Sequence, residues 1–165
     1  MTKKNELKIR AIDPGPEMSA FVDWNGKEIL GFGKVQNDWF VSSEPDFDGI
    51  DLMVIEMVAS YGMAVGKDVF ETVFWTGRIY EACLSADIRC ERLYRRDVKM
   101  YLCGNAQAKD TNIMTAIIDR FDPLRKFGKY GKGTKSNPGP FFGFAKDVWA
   151  AFGVALTAFN REVEK

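Results

Sequence analysis

Leu52-Met53-Val54-Ile55-Glu56 is the most apolar strand-like stretch of this 165-residue chain, and it ends on a carboxylate. A continuous apolar run without alternation is typical of a strand that is buried on both faces of a sheet. A charge at the end of such a strand is costly unless a positive group meets it. The stretch therefore predicts a central sheet strand, and it marks Glu56 as a candidate functional residue.

Three further strands are predicted before this stretch. Residues 6–12 alternate between polar and apolar side chains, as a strand with one face in the core does, and residues 18–24 and 28–35 are predicted to continue the sheet. Asp13-Pro14-Gly15 ends the first strand, because proline cannot extend a central ladder and glycine supplies turn geometry. Asn25-Gly26 is typical of a hairpin turn. These three strands are therefore expected to be antiparallel neighbours.

The rest of the chain is predicted to be mostly helical. We expect helices over 67–86, 95–102, 109–121 and 145–163, a fifth strand over 88–94, a loop over 37–51, and a mobile basic loop over 122–142, where Gly, Pro and Lys are spread without an apolar period. This order predicts a mixed α/β layer fold in one domain, 1–165. Helix 67–86 is apolar over most of its circumference, so it needs cover on two sides: by the sheet and by a second subunit of a homodimer.

The composition excludes several kinds of chemistry. The sequence contains no histidine, which rules out Ser-His and Cys-His nucleophiles and nucleases with a histidine base. Cys83, Cys90 and Cys103 lack C-x-x-C spacing, so neither a zinc ribbon nor a disulfide framework is predicted. No apolar run approaches the ~20 residues of a membrane span, and a reducing, cytoplasmic setting is expected. Acid–base or metal chemistry is left to carboxylates, lysines and tyrosines.

Charge is unevenly distributed, although 23 basic residues balance 23 acidic ones. Residues 1–88 carry 8 Lys and Arg against 15 Asp and Glu, whereas residues 89–135 carry 12 against 5. We call residues 89–135 the basic belt. Such a belt suits a phosphate backbone, and it equally suits a solvated face balanced by nearby acids.

Three carboxylates stand at the ends of predicted elements. Asp13 follows the first strand, Glu56 ends the fourth, and Asp147 lies in the first turn of the last helix. If these elements are neighbours, the three side chains converge at one sheet edge, where hard oxygen ligands bind Mg²⁺ or Mn²⁺. Singly, Asp13 also suits an ordinary turn, and Asp147 suits a helix start.

Five short motifs, in this order and spacing, resemble the RuvC family of Holliday junction resolvases in its bacteriophage form. They are Ala11-Ile12-Asp13-Pro14-Gly15, Val54-Ile55-Glu56, Arg96-Asp97-Val98-Lys99, Lys109-Asp110 and Asp147-Val148-Trp149-Ala150-Ala151. The resemblance covers nearly the whole chain. It implies a ribonuclease H-like fold: a five-stranded mixed sheet, with three antiparallel strands and then two parallel ones, flanked by helices. It also implies Mg²⁺-dependent paired nicking of four-way DNA junctions by a homodimer, with Mn²⁺ as a substitute, in the host bacterial cytoplasm if a phage encodes the chain.

The resemblance assigns residues to these roles. It makes Asp13, Glu56 and Asp147 the catalytic metal ligands, and it places Lys99 and Lys109 beside the backbone near the cut. Charge and position add further DNA contacts at Arg95, Arg96, Lys126, Lys129, Lys132 and Lys135. Tyr61, in the loop after Glu56, is expected to stack on bases at an opened junction centre.

One position departs from the family pattern. The family's closing helix supplies two metal ligands three positions apart, whereas Ala150 stands three residues after Asp147. Either the three acids suffice, or Asp110 or a backbone oxygen completes the site, or the second metal ion is held loosely. Lys146 could instead neutralise charge on the phosphate. Two alternatives to a junction-resolving nuclease therefore stay open: a non-catalytic protein that binds DNA junctions, and another ribonuclease H-like nuclease that acts on flaps or RNA/DNA hybrids.

Overall fold

A computed structural model describes residues 7–42 and 46–165. The elements, in chain order, are β1 (Ile9–Asp13), β2 (Met18–Trp24), β3 (Ile29–Gln36), a 3-10 helix (Asn37–Val41), β4 (Leu52–Met57), α1 (Lys67–Ser85), β5 (Arg89–Tyr94), α2 (Arg95–Cys103), α3 (Asp110–Phe121) and α4 (Lys146–Val163). Every predicted helix and strand is present, with its ends displaced by no more than a few residues. The predicted start of the first strand, residue 6, lies outside the described residues. No helix in the described part of the chain combines the length and apolar character needed to cross a membrane.

The five strands form one mixed sheet in the order β3-β2-β1-β4-β5. β1, β2 and β3 pair antiparallel, and the connection around Asn25 is tight, since the Asn25 Oδ1 accepts hydrogen bonds from the Lys27 and Glu28 backbone N–H groups. β4 lies parallel to β1 and to β5. The carboxyl ends of β1, β4 and β5 therefore meet at one edge of the sheet, the edge where open α/β sheets place their ligands.

Both faces of β4 are covered, as its continuous apolar sequence predicts. Leu52 and Val54 pack on the face that carries α2, α3 and α4, whereas Met53 and Ile55 pack with α1 and the 3-10 helix. Because strand side chains alternate between faces, Glu56 shares the α4 face with Val54. Asp13 shares that face with Ala11 for the same reason. The sequence period thus directs both carboxylates toward α4.

The two predicted loops are more ordered in their packing than the sequence suggested. Within residues 37–51, the 3-10 helix buries Phe40 completely, while residues 43–45 lie outside the described residues. Residues 122–142 contain turns and one isolated bridge, as expected for a segment without a helix, but Phe141 is fully buried in the core. The sequence did not predict this packing, because one buried aromatic residue can anchor a segment without producing an apolar period. That 122–142 is mobile stays a prediction.

Helix α1 covers the sheet with its small, polar stripe rather than with its aromatic one. Its buried residues are Thr72, Thr76, Ile79 and Cys83. The opposite stripe leaves Phe70 and Phe74 65% and 58% exposed. Helix α1 therefore presents an apolar face that no described residue of this chain covers.

Candidate active site

Asp13 and Glu56 lie side by side at the carboxyl ends of two paired strands. Ile12 of β1 is in register with Ile55 of β4, so the next residue of each strand is a carboxylate. Gly15 allows the chain to turn directly after Asp13, because a Cβ at this position would stand 2.3 Å from the Met18 carbonyl oxygen. The parallel register, which the sequence does not show directly, brings these two acids together.

Asp147 reaches the same place from the first turn of α4. This helix packs across β1 and β2, which brings its amino end above the carboxyl end of β1. The Asp147 carboxylate forms an ion pair with the ammonium group of Lys34 on β3. Lys34 is therefore a cation of the site that the sequence analysis did not identify.

Arg95, the first residue of α2, joins two carboxylates. Its Nη1 donates a hydrogen bond to the Glu56 Oε2 at 3.2 Å, and its Nη2 donates to the Asp110 Oδ1 at 2.7 Å. Arg95 was predicted to contact DNA, and its guanidinium group bridges Glu56 and Asp110. It supplies the positive group that the end of β4 requires.

A cavity of about 600 Å³ collects these groups. Its charged lining residues are Asp13, Glu56, Asp147, Asp110, Arg95, Lys132 and Lys146. The remainder of its wall is mostly apolar and comes from α3, α4 and the segment that precedes α4. A negative cluster at a strand edge, flanked by lysines and an apolar wall, is thus the main feature of this surface.

Burial and neighbouring negative charge raise the pKa of two carboxyl groups of the cavity, those of Asp13 and Glu56. Burial, and then the negative charges of Glu56 and Asp147, raise the pKa of Asp13 from its ordinary 3.8 to about 7. Burial also raises the pKa of Glu56, although Arg95 opposes this effect. The hydrogen bond from Arg95 holds the pKa of Asp110 below its usual range. Near neutral pH, Asp13 is therefore divided between its protonated form and its charged form.

The donor chemistry of this cluster suits a hard divalent cation. Asp13, Glu56 and Asp147 offer carboxylate oxygens, the ligands that Mg²⁺ and Mn²⁺ prefer, and a cation among them would relieve the repulsion that raises the Asp13 pKa. As the side chains are placed, however, no group of three acidic or cysteine residues in 7–42 and 46–165 is close enough to hold a metal ion. The pairs with Arg95 and Lys34 turn Glu56 and Asp147 toward protein cations. Binding of a metal therefore requires these two pairs to rearrange.

Most of the other predicted DNA contacts lie outside the cavity. Lys99 is close enough to lower the pKa of Glu56 and of Asp110 through its charge. The remaining predicted contacts are exposed: Tyr61, Arg96, Lys109, Lys126, Lys129 and Lys135. Lys132 alone of the four lysines predicted in segment 122–142 lines the cavity. Among the predicted DNA contacts, Arg95 and Lys132 therefore line the cavity, whereas the larger number lies on the exposed surface.

Tyr130 and the apolar wall are functional candidates that the sequence analysis missed. Tyr130 lines the cavity from segment 122–142, beside Ile113 and Met114 of α3 and Trp149 of α4. Its position between two lysines of a glycine-rich segment was the only signal available, and that signal does not distinguish a cavity residue from a surface one.

The mixed sheet, its strand order and its flanking helices define a ribonuclease H-like α/β fold. No protein-family model matches the sequence, and no curated protein matches it. The structure is similar over nearly its full length to that of RuvC from Thermus thermophilus, with a TM-score of 0.62, 16% sequence identity, and coverage of 96% of this chain and 97% of that chain. It is equally similar to T. thermophilus RuvC in complex with a Holliday junction substrate, with a TM-score of 0.61, 14% identity, and coverage of 95% and 96%. The fold is therefore RuvC-like, as the sequence motifs predicted.

Proposed function

We propose that this protein is a divalent-metal-dependent endonuclease that cuts branched DNA, with the four-way junction as its main substrate. The observation that carries the proposal is the meeting of Asp13, Glu56 and Asp147 at one cavity at the carboxyl edge of the sheet. The RuvC-like fold supports the choice of substrate, since one of the similar structures is a RuvC bound to a Holliday junction. The absence of histidine agrees with hydrolysis that relies on carboxylates.

Each group of the cavity has a role in this proposal. Asp13, Glu56 and Asp147 hold Mg²⁺, for which Mn²⁺ can substitute, and the bound cation supplies the positive charge that promotes attack on a phosphodiester. Lys132 and Lys146, on the cavity wall, neutralise the phosphate, where negative charge grows during the reaction. Arg95 and Lys34 hold Glu56 and Asp147 when no metal is present. The exposed lysines of the basic belt contact the phosphate backbone of the junction arms and position them without recognising the base sequence.

The proposal includes a homodimer formed through α1. Phe70, Val73 and Phe74 form an exposed apolar stripe on α1, and Met63 and Val65 of the preceding loop are exposed as well. Contiguous apolar surface of this kind is typical of interfaces. A two-fold dimer would present one cavity to each of two opposed strands of a junction, which is the arrangement that paired nicking needs.

The test compares a synthetic four-way junction with a linear duplex of the same sequence, each with Mg²⁺, Mn²⁺ or EDTA. The wild type is expected to make paired nicks in the junction only when metal is present. Asp13→Asn, Glu56→Gln and Asp147→Asn should each reduce the cleavage rate by about 100-fold or more while junction binding persists, because the metal ligands act together. Asp48→Asn, an exposed acid that precedes β4, is the matched control and should cut as the wild type does.

Other outcomes would overturn the proposal in distinct ways. Tight junction binding without cutting under either metal would identify a non-catalytic junction-binding protein, an outcome to which Ala150 and the two internal ion pairs point. Preferential cutting of flaps or RNA/DNA hybrids would identify another ribonuclease H-like nuclease. If the three active-site variants cut the junction at the wild-type rate, the carboxylates would have no part in the mechanism.

A further inference from the structure

Ser19 and Asn37 are polar residues that are buried almost completely. Ser19, on β2, is 0% exposed, and Asn37, the first residue of the 3-10 helix, is 1% exposed. Alternation along β2 places Ser19 on the same face as Phe21, whose ring lies 6.5 Å from that of Phe40 in the cluster beside α1. This is the face of the sheet opposite to the carboxylate cavity, and neither residue lines that cavity. Any effect of the pair on the carboxylates must therefore pass through the backbone.

Hydrogen bonds join the pair to Gly15. The Gly15 N–H donates to the Ser19 Oγ at 3.2 Å, and the Asn37 Nδ2 donates to the Gly15 carbonyl oxygen at 2.8 Å. The Ser19 hydroxyl in turn donates to the Asn37 Oδ1 at 2.6 Å, which closes the circuit. We call these three hydrogen bonds the Gly15 network. A buried hydroxyl and a buried amide are costly unless they are bonded, and here their hydrogen bonds serve to fix a turn.

The Gly15 network holds the chain directly after Asp13. On its amino side Asp13 belongs to β1, where it pairs with Ala20 of β2. On its carboxyl side comes Pro14, whose ring fixes φ, and then Gly15, whose N–H and carbonyl oxygen are both bonded in the network. Without the network, Asp13 would be the last fixed residue of a strand, and the ends of elements fray. The network therefore fixes the backbone on both sides of this carboxylate.

We propose that Ser19 and Asn37 are positioning residues of the carboxylate site, which hold the turn after Asp13 so that its carboxylate stays beside Glu56. This inference rests on the proposed function and goes beyond it, because neither residue touches the reacting atoms. The negative charges of Glu56 and Asp147 act against that of Asp13, and a fixed backbone prevents the strand end from moving away from them. A ligand that is already in place binds a divalent cation more tightly than one that must first be ordered.

The test measures Mn²⁺ binding by the DNA-free protein, from the loss of the electron paramagnetic resonance signal of free Mn²⁺. Ser19→Ala and Asn37→Ala should each weaken Mn²⁺ binding by about 10-fold or more, the effect typical of removing a residue that supports a metal ligand. Both substitutions remove polar atoms without adding volume. Since the two side chains act through one network, the double variant should bind Mn²⁺ about as well as Asn37→Ala alone.

Asn25→Ala is the matched control. Asn25 is also a buried asparagine whose side chain holds a turn, since its Oδ1 accepts hydrogen bonds from the Lys27 and Glu28 N–H groups. This turn lies at the opposite edge of the sheet, next to the pair formed by Ile9 and Trp24. Asn25→Ala should lower the stability in urea as Asn37→Ala does, and it should keep the Mn²⁺ affinity of the wild type. The comparison separates positioning of Asp13 from a general loss of stability.

Cleavage of a four-way junction supplies a second readout. In Ser19→Ala and Asn37→Ala, the Mg²⁺ concentration that gives half-maximal cleavage should rise by about 10-fold or more. The affinity for the junction in EDTA and the cleavage rate at saturating Mg²⁺ should stay close to the wild-type values. A purely structural defect would instead reduce the amount of active protein, and cleavage would fall by the same factor at every Mg²⁺ concentration.

The two proposals fail in distinguishable ways. A wild-type protein that binds Mn²⁺ and cuts the junction, together with Ser19→Ala and Asn37→Ala variants of unchanged Mn²⁺ affinity, would overturn the positioning role and leave the nuclease intact. Equal weakening of Mn²⁺ binding in Asn25→Ala, or effects of the two substitutions that multiply in the double variant, would overturn it as well. A wild-type protein that neither binds Mn²⁺ nor cuts the junction would instead overturn the proposed function.

Discussion

Asp13 is the residue at which burial and charge are most clearly opposed. It lies at the end of a central strand with two other carboxylates near it, and its pKa is raised from 3.8 to about 7. Between these two pH values the folded protein holds a proton that the unfolded chain has lost. By linkage, this group makes the folded state less stable as pH rises from about 4 to about 7, and the loss is complete above that range. The charged form of Asp13 is thus kept at a cost to the stability of the folded protein.

Replacing Asp13 by Asn should therefore stabilise the metal-free protein at high pH. Because one pKa unit corresponds to about 1.4 kcal/mol and the group is not fully buried, we expect a gain of about 2–4 kcal/mol in the free energy of unfolding at pH 8. The gain should shrink toward zero near pH 4, where the wild-type carboxyl is protonated as well. Urea denaturation in EDTA at both pH values measures the difference.

The exposed Asp48→Asn variant serves as the control for this measurement and should match the wild type at both pH values. A gain for Asp13→Asn that is equal at pH 4 and pH 8 would show that it does not arise from ionisation. A loss of stability at pH 8 would contradict the burial of this charge altogether.

Among the secondary-structure elements, α1 has two different faces: one packs against the sheet, and the other is exposed. Its Thr72 and Thr76 hydroxyls donate hydrogen bonds to backbone carbonyls one turn earlier, which lets small polar side chains face the sheet without leaving unpaired groups. The large aromatic residues are left on the other side. A helix that gives its smaller stripe to its own core and its larger one to solvent is unfavourable unless a second surface covers it.

A charge in this stripe is expected to break the proposed dimer. Phe74→Glu should raise the dimer dissociation constant by about 30-fold or more, because truncation or charging of a central aromatic residue of an interface costs about 2 kcal/mol or more. Sedimentation equilibrium across a concentration series measures this change. Leu124→Glu makes the same apolar-to-acidic change at another exposed position and should leave the association unchanged. A wild-type protein that is monomeric at all concentrations would refute the interface.

For the molecule as a whole, internal ion pairs sort the basic belt into two groups. Arg89, Arg95 and Arg125 are paired with acids of this chain. Lys126 and Lys135 form no ion pair with any residue in the described ranges, and Lys129 contacts an aromatic ring. These three arginines therefore act mainly within the fold, and Lys126, Lys129 and Lys135 remain available to phosphates.

The salt dependence of junction binding should report on these lysines. Replacing Lys126, Lys129 and Lys135 together by Gln should weaken binding in EDTA and reduce the slope of log affinity against log salt by about 2–3, since each lost phosphate contact removes about 0.9. Fluorescence anisotropy at several salt concentrations measures the slope. Lys8→Gln, at the opposite edge of the sheet, is the control and should leave the slope unchanged. An unchanged slope in the triple variant would place the DNA on another surface.

The strands and two of the carboxylate positions could be read from the sequence because they depend on local periods. The apolar run at 52–55 requires a strand covered on both faces, and the period of two then orients Glu56. The position of Asp13 at the end of β1 could be predicted from the turn at Pro14 and Gly15. Helix boundaries came out within a few residues for the same reason. These features depend on interactions between residues close together in the chain.

The partners of the carboxylates depend on packing across long distances in sequence, and no local pattern encodes them. Lys34 and Asp147 are 113 residues apart, and they meet because α4 packs across β1 and β2 and also contacts β3. Tyr130 lines the cavity because the buried Phe141 anchors the segment that carries it. Likewise, the stripe of α1 that faces the sheet is the one whose Ile79 and Cys83 pack with Met53 and Ile55 of β4. These contacts depend on the volume and length of side chains that come together only when the whole chain is folded.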